Sequence, residues 1–188
     1  AQSFWRDMTI CVLCVLLGLL VQWNLRAPQG GDYAFVKAMK ADGYAVICFE
    51  RCNERDVDEF CQKLENFARQ RHMDLGRRIG RIIDGSNAGR RGDSIESFID
   101  LEIKQMQQRP GLVICFVSDK PTQNAQFLYP AIKRWSHTVS GIPTQCLQGP
   151  KALGKLKTSP QYHAGVLLKI NLKLGGHNLY SPKDMGGL

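Results

Sequence analysis

Residues 111–117 read GLVICFV, seven consecutive positions with no charged side chain, set between Pro110 and Ser118. A strand with one wet face alternates apolar and polar residues. A short run that is apolar throughout and rich in β-branched residues has to be covered on both faces, as the central strands of parallel sheets are. Parallel strands in turn need crossover connections, usually helices, to bring the chain back to the same end of the sheet. The rest of the chain supplies these parts. Residues 44–50 (YAVICFE) make a second apolar run, 78–83 a weaker strand and 142–147 a fourth.

Helical patterns lie between them. Over 56–73, Val57, Phe60, Cys61, Leu64, Phe67 and Ala68 recur at spacings of three and four, which predicts an amphipathic helix. Asp93 as N-cap, with Glu96 at the third helical position, predicts a second helix running to about Arg109, where Pro110 stops it. A polar loop over 118–128 precedes a helix over 129–139, with Pro130 in the first turn, where its missing N–H costs nothing. A basic loop over 149–159 leads to a last helix that opens at Pro160 or Gln161 and ends at Gly175-Gly176. Val166, Leu167, Leu168, Ile170, Leu172 and Leu174 make that helix apolar nearly all round, so it is expected to be buried. The alternation predicts an α/β sandwich, a mostly parallel four-stranded sheet flanked by helices. A chain of 188 residues suits one such domain with appended segments.

Charge is unevenly spread. Nine Lys/Arg against two Asp/Glu fall in 110–188, net +7, while 1–109 hold sixteen against fifteen, net +1. A positive field concentrated in one part points to a polyanionic partner, nucleic acid above all. A solvated basic surface without a specific partner meets the charge equally well. The seven cysteines are odd in number and several sit in apolar runs, which suits a reducing compartment, the cytoplasm or the nucleus. Cys11-x-x-Cys14 has no second CxxC and no His pair, so no metal site is expected. The apolar run 9–21 falls short of the ~20 residues that span a bilayer. Its flanks lack a signal peptide's basic start and cleavage site. It reads as a buried strand or helix, or, as favoured here, a linker packing on a neighbouring domain, with no membrane role.

Two side-chain pairs stand out. Tyr129 and Lys133 are four apart, as are Lys169 and Lys173, so each pair shares one helix face. The short polar turn Thr144-Gln145-Cys146 falls between them. This layout suggests a concentrated anion site. Ligands of open α/β sheets bind beyond the carboxyl ends of the strands, where the loop after 111–117 and the turn after Gln145 emerge and where helix N-termini add positive potential. A terminal phosphate carries close to two negative charges and three acceptor oxygens. Lys133, Lys169 and Lys173 can meet the charge, Gln145 and the Tyr129 hydroxyl can add neutral donors, and the Tyr129 ring can stack on a base. Two lysines four apart on a buried helix repel each other unless an anion lies between them. They can equally snorkel to solvent along a stripe with Gly165, and spacing does not choose between these readings.

Other features are weaker. Residues 84–92 (DGSNAGRRG) lack the GK[ST] of a phosphate-binding loop. Arg77, Arg78, Arg81, Arg90 and Arg91 fit a solvated surface better than a nucleic-acid contact. His72, His137, His163 and His177 have no paired spacing, and no nucleophile–base or carboxylate pair stands out, so no catalytic residue is expected.

Taken in order, Tyr129-x-x-x-Lys133, Thr144-Gln145-Cys146, residues 168–176 (LKINLKLGG) and Asn178 resemble the motifs of the MID domain of eukaryotic-type Argonaute proteins. Asp93-Ser94-Ile95-Glu96 and Trp23-Asn24-Leu25-Arg26 are similar as well, so the likeness covers about 22–178. The resemblance implies a Rossmann-like MID domain over 27–178, an N-terminal linker segment over 1–26, and the start of the linker to a PIWI domain over 179–188. It implies that the domain anchors the 5′-monophosphate and first base of a small guide RNA, siRNA or miRNA, for RNA interference and gene silencing. Tyr129, Lys133, Gln145, Lys169 and Lys173 would then bind the phosphate, with the Cys146 backbone close by, and Tyr129 would stack on the first base. The loop holding Ser118, Asp119, Lys120, Pro121, Thr122 and Gln123, longer here than is usual in the family, would sense that base. The family's slicer carboxylates lie in the PIWI domain, so no enzyme activity is implied for this chain. Eukaryotic members place a lysine where some prokaryotic ones use a metal ion, so Lys169 and Lys173 together imply no Mg²⁺ and no cofactor, though sulfate or phosphate can occupy the site. The implied partners are the guide RNA, the PIWI domain of the same parent protein and silencing proteins, with no DNA specificity and no membrane. Two other functions remain open: a scaffold that docks a partner protein or the PIWI domain through its basic face, and a phosphate-binding fragment of an enzyme.

Overall fold

The computed structural model describes residues 35–89, 94–118 and 123–178. The apolar run 9–21, Cys11-x-x-Cys14, Trp23–Arg26 and the segments 1–26 and 179–188 lie outside them. Four strands, β1 (Tyr44–Cys48), β2 (Ile83–Asp84), β3 (Leu112–Val117) and β4 (Thr144–Gln148), form one sheet in the order β2-β1-β3-β4. Every pairing is parallel. The expected mostly parallel Rossmann-like sheet is therefore wholly parallel among the described residues, with the 111–117 run at its centre between β1 and β4.

Alternation along each strand builds two cores. Tyr44, Val46, Cys48, Leu112, Ile114, Phe116 and Leu147 point to one face, where α1 (Glu54–Arg69) and the last helix, α5 (Pro160–Lys173), cover them with Phe60, Leu64, Leu167 and Ile170. Ala45, Ile47, Val113 and Cys115 point to the other face, against Ile99 and Ile103 of α2 (Ile95–Lys104) and Ile132 of α3 (Gln123–Arg134). Trp135, in the π-helical turn Trp135–Ser140 that continues α3, is fully buried there. Phe60 meets Phe116 edge to face at 5.6 Å.

Several boundaries depart from the sequence reading. α1 spans Glu54–Arg69, capped by the Asn53 side chain, and stops before 73, where the chain turns through His72 at φ 58. Met73 is nonetheless buried. The strand expected over 78–83 shrinks to Ile83–Asp84, because Gly80 at φ +68 breaks it after an isolated bridge between Arg78 and Tyr44. The N-cap of α2 is Ser94, whose hydroxyl accepts from the Ser97 amide at 3.1 Å, and Asp93 lies outside the described residues. That helix ends at Lys104 and not near Arg109, since the polar stretch 105–109 offers no apolar stripe to bury. α3 begins at Gln123, six residues ahead of Tyr129, so Pro130 sits inside it. A short helix, α4 (Gly149–Ala152), occupies part of the expected basic loop. Gly175 at φ +87 ends the last helix in the left-handed conformation that glycine adopts without strain. That helix is not buried all round: Leu172 is 58% exposed, because only the face carrying Val166, Leu167 and Ile170 meets the sheet.

His163 was unremarkable in the sequence and is fully buried on α5. Its ring lies between Phe60 and Phe67, at 4.7 and 5.2 Å. Nδ1 donates to the Ser159 carbonyl at 2.8 Å, and Nε2 has no partner among the described residues. Burial pushes its pKa down. The unfolded chain therefore takes up a proton near pH 6.5 that the folded state resists, and stability falls as pH drops through that value. Urea midpoints measured from pH 7.5 to 5 should decline, and His163→Phe should flatten the decline. An equal slope in the variant would sink the assignment.

Candidate functional site

Among the described residues β4 is the last strand of the sheet, so one of its edges has no strand partner there. Residues two apart on a strand turn their backbone groups to the same side. Val113 donates to the Pro143 carbonyl, so the backbone groups of Thr144 and Cys146 turn away from β3 to the open edge. An edge carbonyl needs a donor, and here side chains provide it. Lys133 Nζ donates to the Thr144 carbonyl at 3.1 Å and to Thr144 Oγ1 at 3.0 Å. Lys173 Nζ donates to the same carbonyl at 2.8 Å and to Gln145 Oε1 at 2.7 Å. Gln145 Nε2 donates to the Cys146 carbonyl at 2.9 Å. Thr144 and Gln145 are 1% and 5% exposed, so this network is anchored in the protein interior.

Two ammonium groups thus converge on one oxygen. Lys133 comes from the last turn of α3 on one face of the sheet, and Lys173 ends α5 on the other. The sequence reading placed helix N-termini at the site, whereas these cations sit in last turns, where the helix dipole favours positive charge. Thr144-Gln145-Cys146 is not a turn but the first half of β4. Lys173 as a residue is exposed, yet its ammonium end turns inward onto Thr144 and Gln145. Burial of that end, and then the Lys133 charge, lower its pKa to about 8.

Tyr129, one turn before Lys133, is 54% exposed, and Lys133 Nζ lies 5.6 Å from its ring centroid. Tyr129 and Leu128 line a cavity of about 270 Å³ against Val117, Ser118 and Cys146. A second cavity of about 440 Å³ lies on the α5 side, where exposed Lys169 stands with Tyr162, Gln148 and Lys151. Cys146, Leu147 and Gln148 are common to both walls, so β4 divides the cavities. Lys169 lies close enough to help lower the Lys173 pKa. The structure therefore gathers Tyr129, Lys133, Gln145, Cys146, Lys169 and Lys173 along one strand edge. Of the expected base-sensing loop, Ser118 lines the first cavity, Gln123 opens α3, and Asp119, Lys120, Pro121 and Thr122 lie outside the described residues. Sequence reasoning missed the role of Thr144, which acts mainly through a backbone oxygen and leaves no trace in residue type. Among the described residues no cluster of His, Cys, Asp or Glu could hold a metal ion, and no helix is long and apolar enough to cross a membrane.

Fold and site together define a Rossmann-like α/β domain with a cation cluster at the open edge of its sheet. No protein-family model matches the chain. Over 174 residues, 88% of its length, it is 29% identical to the argonaute protein of Schizosaccharomyces pombe, of which it spans 19%. The MID domain of Arabidopsis thaliana AGO5 superposes with a TM-score of 0.59 at 26% identity, over 79% of this chain and 99% of that one. The MID domain of the N. crassa QDE-2 Argonaute shares the fold, with a TM-score of 0.51 at 17% identity over 72% of this chain and 98% of that one. In sequence and fold the chain is similar to the MID domains of eukaryotic Argonaute proteins.

Replacing Lys133 with methionine removes a positive charge from beside Lys173. The Lys173 ammonium should then titrate above its present value of about 8, as followed by NMR of the labelled lysine side chains. A titration that stays in place would show that burial alone sets it.

Proposed function

We propose that this domain is a non-catalytic module that anchors the 5′-monophosphate and first base of a small guide RNA. The observation that carries the reading is the convergence of Lys133 and Lys173 on Thr144, with Gln145 beside them. Two ammonium groups sharing one neutral oxygen are under-compensated, and a phosphate dianion offers them stronger, charge-assisted acceptors. Each ammonium has three N–H groups, so it can hold its strand contacts and still meet an incoming oxygen. The Cys146 amide faces the same edge and adds a backbone donor. The Tyr129 ring, at the mouth of the smaller cavity, gives the first base a surface to stack on. Lys169 and Lys151, across β4, lie where the strand would continue. Lysine supplies all the positive charge in this arrangement, so no metal ion or other cofactor enters it. The PIWI domain of a longer parent protein would carry any cleavage, and the complex would act in silencing with its partner proteins, in the cytoplasm or the nucleus.

The direct test compares RNAs of one sequence with a 5′-phosphate or a 5′-hydroxyl. The phosphorylated RNA should bind more tightly, and chelation of divalent metal should not change the difference. Lys133→Ala or Lys173→Ala should each cost about 1.5–3 kcal/mol, roughly ten- to a hundredfold, on the phosphorylated RNA only. Equal affinities for the two RNAs would rule the reading out.

The phosphate preference should also be bell-shaped in pH. Below about 6 the phosphate becomes a monoanion. Above about 8 the free Lys173 is neutral, and binding then has to recruit a proton, so affinity falls as pH rises. A preference that stays flat from pH 7 to 10 would remove Lys173 from the contact.

A further inference from the structure

We propose that Cys146 and Cys115 form a peroxide-sensitive dithiol, in which a small hydroperoxide oxidises Cys146 and the Cys115 thiol resolves it to a disulfide. The two residues are direct partners in the register of β3 and β4. Paired residues of neighbouring strands point to the same face about 4.8 Å apart, inside the Cα···Cα range of natural disulfides. Cys115 is fully buried, while Cys146 is only partly so and lines both cavities. The two side chains share the face towards α3, so a peroxide would reach Cys146 from the first cavity, with Cys115 behind it.

Electrostatics separate this pair from the other cysteines among the described residues. The neighbouring Cys115 thiol lowers the Cys146 pKa against the effect of burial, and Lys133 and Lys173 lower it further. Cys48 and Cys52 form a second thiol pair in which Cys48 lowers the Cys52 pKa likewise, but there Glu50 and Asp84 oppose the thiolate where Lys133 and Lys173 favour it at Cys146. Burial pushes Cys61 up to about 11. Thiolates and not thiols attack peroxides, so the pair beside the two lysines has the advantage.

The chemistry balances. The Cys146 thiolate attacks the hydroperoxide; an S–O bond forms, the O–O bond breaks, and the alkoxide leaves and takes a proton as the alcohol. The Cys115 thiol then attacks the sulfenic acid; an S–S bond forms, the S–O bond breaks, and water leaves with the Cys115 proton. Two thiols give up two electrons, and the hydroperoxide becomes alcohol and water. The product stiffens the wall that both cavities share beside Tyr129, and thiol reductants reverse it.

The test treats the whole chain with a limiting dose of tert-butyl hydroperoxide, blocks the remaining thiols and maps the cysteine peptides by mass spectrometry. A Cys115–Cys146 cross-linked peptide should appear, be lost on reduction, and form about tenfold faster than Cys52 is consumed. In Cys115→Ala, Cys146 should stop at a sulfenic acid that a cyclic 1,3-dione traps. The wild-type map stands by itself if that variant fails to fold. Consumption of Cys52 before Cys146, or oxidation of Cys146 with Cys115 left free, overturns the proposal. A further arm, resting on the guide-anchoring reading, adds saturating 5′-phosphorylated RNA, which should slow the cross-link about tenfold relative to 5′-hydroxyl RNA. Loss of that protection with the cross-link intact counts against guide anchoring at this wall. Loss of the cross-link itself counts against the dithiol.

Discussion

One carbonyl oxygen, that of Thr144, holds two lysine ammonium groups. The arrangement follows from the sheet. A wholly parallel sheet ends in a strand whose outer edge has backbone groups without strand partners, and such an edge invites pairing with any other chain. Here the edge of β4 is closed by side chains. Lys133 and Lys173 satisfy Thr144, and Gln145 folds back onto Cys146. The groups that protect the edge are therefore the groups available to a ligand. An incoming anion needs no new cations to be brought in; it has only to compete for those that the edge already holds.

The electrostatic logic favours such an exchange. Ammonium groups side by side and partly desolvated are costly, and the depressed Lys173 pKa reports that cost. A neutral carbonyl offsets it only in part. A dianion would offset it more fully, and this is the electrostatic basis of the phosphate site proposed above. Tyr129 and the two cavities add shape to this site: one cavity is bounded by an aromatic ring, the other by Lys169 and Lys151.

Much of this was legible from residue type and spacing. The run 111–117 announced a strand covered on both faces, and 44–50 its neighbour; the spacing of Val57, Phe60, Cys61 and Leu64 announced the helix that covers them. The pairs Tyr129/Lys133 and Lys169/Lys173 marked the side chains that the structure gathers at the edge of β4. What escaped was set by tertiary context. The start of α3 lies in a polar stretch with no apolar stripe, and Pro130 suggested a helix start where there is a helix interior. Leu172 looked like a core residue until the opposite face of its helix was seen to carry the burial. The apposition of Cys115 and Cys146 depends on strand register, which no local pattern encodes. The same holds for the Thr144 carbonyl, which any residue would have presented.

Lys133 belongs to the layer of helices on one face of the sheet and Lys173 to the layer on the other. A ligand held by both is a clasp across two otherwise separate hydrophobic cores. Its binding energy is then shared by the whole domain: at a hundred times its dissociation constant it would add about 2.7 kcal/mol to the resistance of both layers to unfolding. An empty domain and a loaded one would then differ in how long they stay folded.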